Sequence, residues 1–519
     1  MRWTGFVMRI LLCATLFLVA GEAWGDPLTG PDARYYDYDE ILALCDQWAA
    51  DHPVAFHREI IGYSGEGGEP IWAIKISDHA AQHEPQARIL IHGAQHSNEP
   101  SGTNAIVFMI DRLLSRYNQP GVYRRWADNL ELWFVPIVNV AGHRHVFAGG
   151  DNWDWWRKTN RDNNSDSDHT FPVDGVDPNR NWDYRWAEYD STAWTSSRYK
   201  GPAPFSEPCV VAIRDLILRE RPVFVMDLHS PDAISIANRI WWPWWEVDKY
   251  GAGPDGGIYS QICEELAGRC ETEDDGVYVD GTVACYNTLP KEQCWVYKNT
   301  GICTYLYEIS DRFWWTGAMV DTVAHRAGRG LFYLMERAYD GPGLTGTVTS
   351  ATLGIPLEAE VKVHQVHDCA IGPRMTEQFF GQYWRLLNSG SYTVTVTAPD
   401  HYSQTEIVYV GASGWTHLDF ELIADPAAVG PVGPISTASL WFDTPMRAGG
   451  DVHFRLENDG FVSLQLLDVT GRPVQELVEG RLQRGVRTLA VDRALPSGAY
   501  LLRLRVDDER LVKKLITVE

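Results

Sequence analysis

The chain has 519 residues, more than one ordinary core holds, so roughly two to four domains are expected. Hydrophobic residues make up 45% and charged residues 22%, which excludes a disordered chain. A formal charge of −24 repels nucleic acid and anionic lipid, so neither is expected as a partner.

The first element in chain order reads as a secretion signal over residues 1–25. Arg2 and Arg9 precede the apolar run Ile10 to Ala20, and Ala23 and Gly25 offer the small residues of a cleavage site before Asp26. That run is shorter than the ~18–20 residues a membrane span needs, and no later segment is long enough either. Cys13 falls in the signal. The other cysteines number eight, an even count that permits disulfides in an exported chain.

Asp39 to Ala50 has helical apolar periodicity, Ile71 to Ile76 reads as a strand, and Ala87 to Ile91 as a buried strand followed by a helix over Ser101 to Leu114. Leu132 to Val140 reads as a further core strand, with Pro136 an irregularity within it. A helix over Glu207 to Arg219 leads into a strand over Pro222 to Leu228, and Cys303 to Ile309 forms the last strand. This alternation predicts an α/β domain over 26–340, with a mixed, mostly parallel central sheet and flanking helices. After Gly341-Pro342-Gly343 the helical periodicity stops. Short alternating strands predict two small all-β sandwich domains, at 341–424 and 436–519, joined by the Pro/Gly/Ala linker 425–435.

The chemistry-bearing residues cluster in the first domain. His96 and Glu99 are three apart just beyond the ARILI strand, and His229 ends the PVFVMDL strand. Zinc takes nitrogen and oxygen ligands at about 2.0–2.2 Å, and a catalytic site keeps one position for water. The carboxyl ends of strands are where open α/β sheets build such sites. An HxxE pair alone is close to a chance pattern; its companions change that.

In order along the chain these are HSNE (96–99), WRKT (156–159), GVDPNRNWDYRW (175–186), RYKGPAPFSEP (198–208), DLHS (227–230) and YLYEIS (305–310). With these six motifs, residues 35–340 resemble the zinc carboxypeptidases related to carboxypeptidases A, B and T. The resemblance implies His96, Glu99 and His229 as metal ligands and Glu308 as the catalytic glutamate. It implies Arg157 as the oxyanion-binding arginine, and Asn179 and Arg180 as binders of the substrate carboxylate. Tyr286, 22 residues before Glu308, takes the place of the family's mobile substrate-binding tyrosine. Gln293, seven further on, takes the position that lines the specificity pocket, where it is neither the acid that suits basic ends nor the aliphatic residue that suits apolar ones. Asn98 stands where pancreatic-type enzymes carry an arginine, which implies a weaker outer subsite.

The chemistry is coherent on its own terms. A glutamate moves the proton of a zinc-activated water, an arginine stabilises the oxyanion, and an Asn-Arg pair grips a terminal carboxylate. Weaker readings are a calcium site at Asp162, Asp166 and Asp168, and a His143/His145 pair on one strand face with no carboxylate partner. Trp153, Trp155, Trp156 and the run at 241–245 line a cleft or pack a core. Cys285 and Cys294 bracket the Tyr286 loop and suggest a disulfide there.

Residues 344–422 resemble the transthyretin-like domain of regulatory-type carboxypeptidases, through LTGTVTS (344–350), YWRLLNSGSYTVTV (383–396) and DFEL (419–422). Residues 440–519 resemble the C-terminal sorting domain of the type IX secretion route, through LLDVTGR (466–472), LPSGAYLLRL (495–504) and KKLITVE (513–519). Together these imply a secreted or outer-surface zinc metallocarboxypeptidase acting on peptides with a free C-terminus, with export machinery as a partner of its last domain. The alternatives are a peptidoglycan γ-glutamyl-diaminopimelate peptidase or N-acyl amino-acid deacylase on the same scaffold and, more remotely, a non-catalytic surface-binding protein.

Overall fold

The computed structural model describes residues 34–518, apart from 66–67, 150–154, 232–236, 247–250, 253–254, 280–281, 287–289, 352–353, 426–437, 443–445, 448–449, 457, 469–471, 493–494 and 507–508. The expected signal segment and most of the expected linker lie outside the described residues. The chain divides into two compact units. One holds the residues up to Asp78 with Gln86–Gly341 and Asp368–Gly372; the other holds His79–Pro85, Pro342–His367 and Pro373–Glu519.

The first unit opens with α1 (Tyr38–Asp51), started by a capping box in which Asp37 accepts from the Glu40 N–H and the Glu40 carboxylate accepts from the Asp37 N–H. Then come β1 (Phe56–Ser64), β2 (Glu69–Ile76), β3 (Ala87–Gly93), α2 (Ser101–Arg116), α3 (Val122–Ala127), β4 (Leu130–Val135) and α4 (Val140–Phe147). After a long irregular stretch follow α5 (Pro208–Glu220), β5 (Phe224–His229), β6 (Arg239–Glu246), β7 (Gly251–Ala252), α6 (Gly256–Ala267), β8 (Thr282–Tyr286), α7 (Glu292–Thr300), β9 (Cys303–Glu308) and α8 (Met319–Asp340).

The strands form one nine-stranded sheet in the order β1-β2-β4-β3-β5-β9-β6-β7, with β8 pairing β6. Its centre, β4-β3-β5-β9, is parallel; β1, β2 and β6 join antiparallel. Every residue of β3, β4, β5 and β9 is buried. Such strands, covered on both faces by helices, read as continuous apolar runs, which is why β3 stood out in the sequence.

One expected element is corrected. The strand expected to reach Val140 ends at Val135, because Pro136 has no N–H to give the ladder. Asn139 then caps α4, its side chain accepting from the Gly142 N–H. His143 and His145 therefore sit on a helix rather than on one strand face.

In the second unit, Gly343–Ser350 pairs with Gln382–Leu386, Trp415–His417 and Phe420–Leu422. Glu360–Val363, Gly390–Thr397 and Gln404–Val410 form a three-stranded sheet, and these strands share a core that includes Leu344, Val361, Val394 and Phe420. Beyond the linker, a three-stranded and a five-stranded sheet share a separate core around Val452, Phe454, Leu464 and Leu502.

Candidate active site

β3, β5 and β9 deliver their polar residues at their carboxyl ends. The chain leaves β3 through Ala94, whose left-handed backbone (φ 50°) turns it sharply, and reaches His96 and Glu99 just before α2. His229 is the last residue of β5, and its register partner on β9 is Glu308.

His96, Glu99 and His229 are all buried and their ligand atoms converge. His96 Nδ1 lies 2.9 Å from Glu99 Oε1, His229 Nδ1 lies 2.9 Å from Glu99 Oε2, and the two Nδ1 atoms are 2.8 Å apart. The outer nitrogens are occupied. His96 Nε2 meets Asp177 Oδ1 at 3.0 Å, and His229 Nε2 meets Asp227 Oδ2 at 2.7 Å. An Nε2 that donates to a carboxylate leaves Nδ1 as a lone pair. Two ring nitrogens facing each other beside a carboxylate need a proton or a metal cation between them. Two imidazoles and one carboxylate suit zinc and leave room for a further ligand.

Arg157, Asn179, Arg180 and Glu308 border this point. The Arg157 guanidinium donates through Nε to Asp177 Oδ2 at 3.0 Å and through Nη1 to Glu99 Oε1 at 3.1 Å. Asp177 caps the short turn Pro178–Arg180, which presents Asn179 and Arg180. Burial alone would raise the Asp177 carboxyl, but Arg157, His96 and Arg180 outweigh it and hold the group well below the usual range. Asn179 Oδ1 accepts from the Glu292 N–H, and its Nδ2 lies 3.4 Å from His229 Nε2. Arg180 donates from Nη1 to the Asn179 carbonyl at 2.6 Å, while its buried Nε has no partner among the described residues. Glu308 is only 9% exposed and its Oε2 has no partner there either. Burial pushes its carboxyl up to about 7, against the pull of His229.

The zinc carboxypeptidase family pattern matches residues 41–321, more than half of the chain. The chain belongs to the zinc carboxypeptidase family. It is 31% identical over 185 residues to carboxypeptidase B of Astacus astacus, a match covering 36% of this chain and 56% of that protein. It is 28% identical over 152 residues to a zinc carboxypeptidase of Saccharothrix mutabilis subsp. capreolus, covering 29% of this chain and 33% of that one. The chain thus spans a third to somewhat over half of these relatives' lengths. The crystal structure of thrombin activatable fibrinolysis inhibitor superposes with a TM-score of 0.51 at 18% identity, over 59% of this chain and 75% of that one; this shows a shared fold.

Not every expected residue is brought to this site. Gln293 is fully buried on α7, and neither its Oε1 nor its Nε2 has a partner among the described residues. Tyr286 ends β8 by its backbone; its side chain, like that of Cys285, lies outside the described residues. Cys294 is buried on α7, whereas Cys45, Cys209, Cys263, Cys270 and Cys303 are buried thiols without a bridge.

The acidic loop folds on itself. Asp162 accepts from the Ser165 and Ser167 N–H groups and Asp166 from Asp168, and these carboxylates form no converging group among the described residues. His143 is buried with both ring nitrogens unpartnered and its ring stacked on Phe147. Trp156, Trp241 and Trp242 pack in the core, while Trp155 is exposed.

Sequence reasoning passed over Asp177, Asp227, His92, Gln95 and Glu292, all buried at the site. Asp177 stands inside the GVDPNRN motif and Asp227 two residues before His229. A carboxylate there, in a strand otherwise apolar, was the available signal.

Proposed function

We propose that this chain is a zinc-dependent metallocarboxypeptidase that hydrolyses the C-terminal peptide bond of peptides and proteins. The observation that carries the reading is the joint placement of the His96–Glu99–His229 cluster, the Glu308 carboxylate and the Arg157, Asn179 and Arg180 donors around one sheet edge. A zinc ion held by that cluster would supply Lewis acidity and lower the pKa of a bound water.

Glu308 accepts the proton of the attacking water and returns it to the leaving amine. Its burial raises its proton affinity toward neutral pH, the range in which one group serves as both base and acid. Arg157, partly buried and oriented by Asp177, stabilises the oxyanion as it forms. Arg180 and Asn179 hold the terminal carboxylate and so fix which bond is cut. The family resemblance assigns Tyr286 the role of covering the bound end residue. It assigns Gln293 to the pocket for that residue's side chain, and a buried amide with no partner among the described residues favours a polar end group over an apolar one.

The remaining assignments belong to the same reading. Residues 341–424 are assigned as a transthyretin-like sandwich following the catalytic domain 26–340. Residues 436–519, after the linker 425–435, form a sorting sandwich recognised by export machinery. With the signal at 1–25, this places the enzyme outside the cell or on its outer surface. No helix among the described residues is long and apolar enough to cross a membrane.

The test is to incubate the purified protein with peptides bearing free or amidated C-termini, with and without a chelator. Far faster release of the end residue from the free form than from the amidated one, abolished by the chelator and restored by zinc, is expected. Equal cleavage of the amidated form refutes the carboxylate grip, and chelator-resistant cleavage refutes the metal.

A further inference from the structure

Asp227 lies one level below His229 on β5, and the two-residue period of a strand turns both side chains to one face of the sheet. Its Oδ2 is 2.7 Å from His229 Nε2. The register partner of Asp227 on β3 is His92, whose Nδ1 is 3.5 Å from Asp227 Oδ1 and whose Nε2 is 2.8 Å from Glu292 Oε1. Gln95 spans the two carboxylates, donating from Nε2 to Asp227 Oδ2 at 3.0 Å and to Glu292 Oε2 at 2.5 Å. Glu292 in turn donates its backbone N–H to Asn179. His92, Asp227 and Glu292 are 0% exposed and Gln95 1%.

The ligand atoms of His92, Asp227 and Glu292 also converge closely enough to suggest a second cation. The donors argue otherwise. The Gln95 amide nitrogen donates to both carboxylates, contacts a bound cation would have to displace, and the His92 imidazole hydrogen-bonds Glu292. A buried carboxylate is costly unless it is paired and hydrogen-bonded: Oδ2 of Asp227 meets Gln95 and His229, while its Oδ1 faces His92 Nδ1 at 3.5 Å as a charge pairing without a hydrogen bond. The group therefore works as a rigid holder for the Asp227 carboxylate.

We infer that Asp227, fixed by His92, Gln95 and Glu292, is a positioning residue for the metal ligand His229. Its carboxylate keeps the His229 proton on Nε2, so that Nδ1 faces Glu99 and His96 as a lone pair, and it makes that nitrogen more basic. Partners of this kind behind a ligating histidine are typically worth about 10- to 100-fold in metal affinity. The inference rests on the zinc reading of the His96–Glu99–His229 cluster and extends it to residues that touch neither metal nor substrate.

The test measures zinc affinity rather than turnover. The metal-free protein is titrated with zinc against a chromophoric chelator, for the unaltered chain, Asp227→Asn and Leu216→Ala. Leu216 is a buried α5 residue outside the site, and its truncation reports what general destabilisation does. The unaltered chain is expected to bind one zinc. Asp227→Asn should bind it about 10- to 100-fold more weakly, and Leu216→Ala should lower the melting temperature with affinity unchanged. Equal affinity for Asp227→Asn, or an equal loss in Leu216→Ala, overturns the inference. Two tightly bound zinc ions in the unaltered chain overturn it in favour of a second metal at His92, Asp227 and Glu292. No zinc in the unaltered chain overturns the metal reading itself, and the inference with it. Should Asp227→Asn not fold, Gln95→Leu, which removes a donor to Asp227, takes its place. A roughly three- to tenfold loss supports the inference and an unchanged affinity overturns it.

Discussion

Arg180 gives the sharpest test of the direction in which this site works. Its guanidinium is almost wholly buried, one Nη1 bond to the Asn179 carbonyl sets its orientation, and its Nε has no partner among the described residues. A terminal carboxylate docked there gains charge-assisted hydrogen bonds of about 1.5–3 kcal/mol each. Two such bonds amount to about 3–6 kcal/mol, or roughly 10²- to 10⁴-fold in kcat/KM. Arg180→Met keeps most of the volume and removes the donors. Steady-state kcat/KM should fall by that factor on peptides with a free C-terminus. Slow cleavage of the amidated peptides by the unaltered enzyme should change by less than about tenfold, because an amide offers no charge to lose. Comparing the two ratios isolates the carboxylate contact in the manner of a double-mutant cycle. An equal loss on both substrates would show that Arg180 supports the fold or the reaction in general rather than the carboxylate.

Four further outcomes follow from particular groups. Glu308→Gln should retain zinc while kcat falls roughly 10²- to 10⁴-fold; a drop below about tenfold refutes its role as general base. Because burial places the Glu308 carboxyl at about 7 and a neighbouring cation draws it down, the acid limb of kcat/KM should lie at or below that value, with activity lost as pH falls; a limb well above 7 contradicts the assignment. Burial holds His143 neutral, its pKa lowered from 6.5 to about 3. Between those values the unfolded chain binds a proton that the folded chain refuses, so stability falls as pH drops through this window, and His143→Phe should flatten the decline in melting temperature; an unchanged slope refutes this. Glu131 is fully buried between Lys75 and Arg88, 2.6 Å from each, so Glu131→Gln should cost about 3–5 kcal/mol in denaturant unfolding, and a loss under about 1 kcal/mol would show the cations re-paired elsewhere.

What the sequence disclosed depended on how local each cause was. β3, β5 and β9 announce themselves because each is a short, largely apolar run; the metal ligands lie just beyond β3 and at the end of β5, and Glu308 ends β9. The overlong strand to Val140 misread a boundary that Pro136 and the Asn139 cap set within four residues. Helix α7 (EQCWVYKNT) was passed over because its apolar residues follow no clean helical period, and β1 because its mixed exposure blurs the alternation. The holders behind the histidines were hidden for a different reason. Gln95 and Asp227 are 132 residues apart and His92 and Glu292 are 200 apart, so no spacing rule brings them together; only strand register does.

That register carries the architecture of the site. In a parallel sheet, partners in register point to the same face, so the pairs His92–Asp227 and His229–Glu308 set an acid beside a base on two successive levels of β3, β5 and β9. Leu228 and Tyr307, between those levels, are buried toward the opposite face. A slip of one residue in β5 would turn His229 and Asp227 away from Glu99, His92 and Glu308 and bring Leu228 into their place. The apolar residues that fix the register are therefore as much a condition of the chemistry as the polar ones. This accounts for a cluster of buried charge lying at the ends of the most hydrophobic strands of the molecule. Removing the metal should leave the arrangement standing, because Asp177, Asp227, Gln95 and the sheet hold the histidines without it.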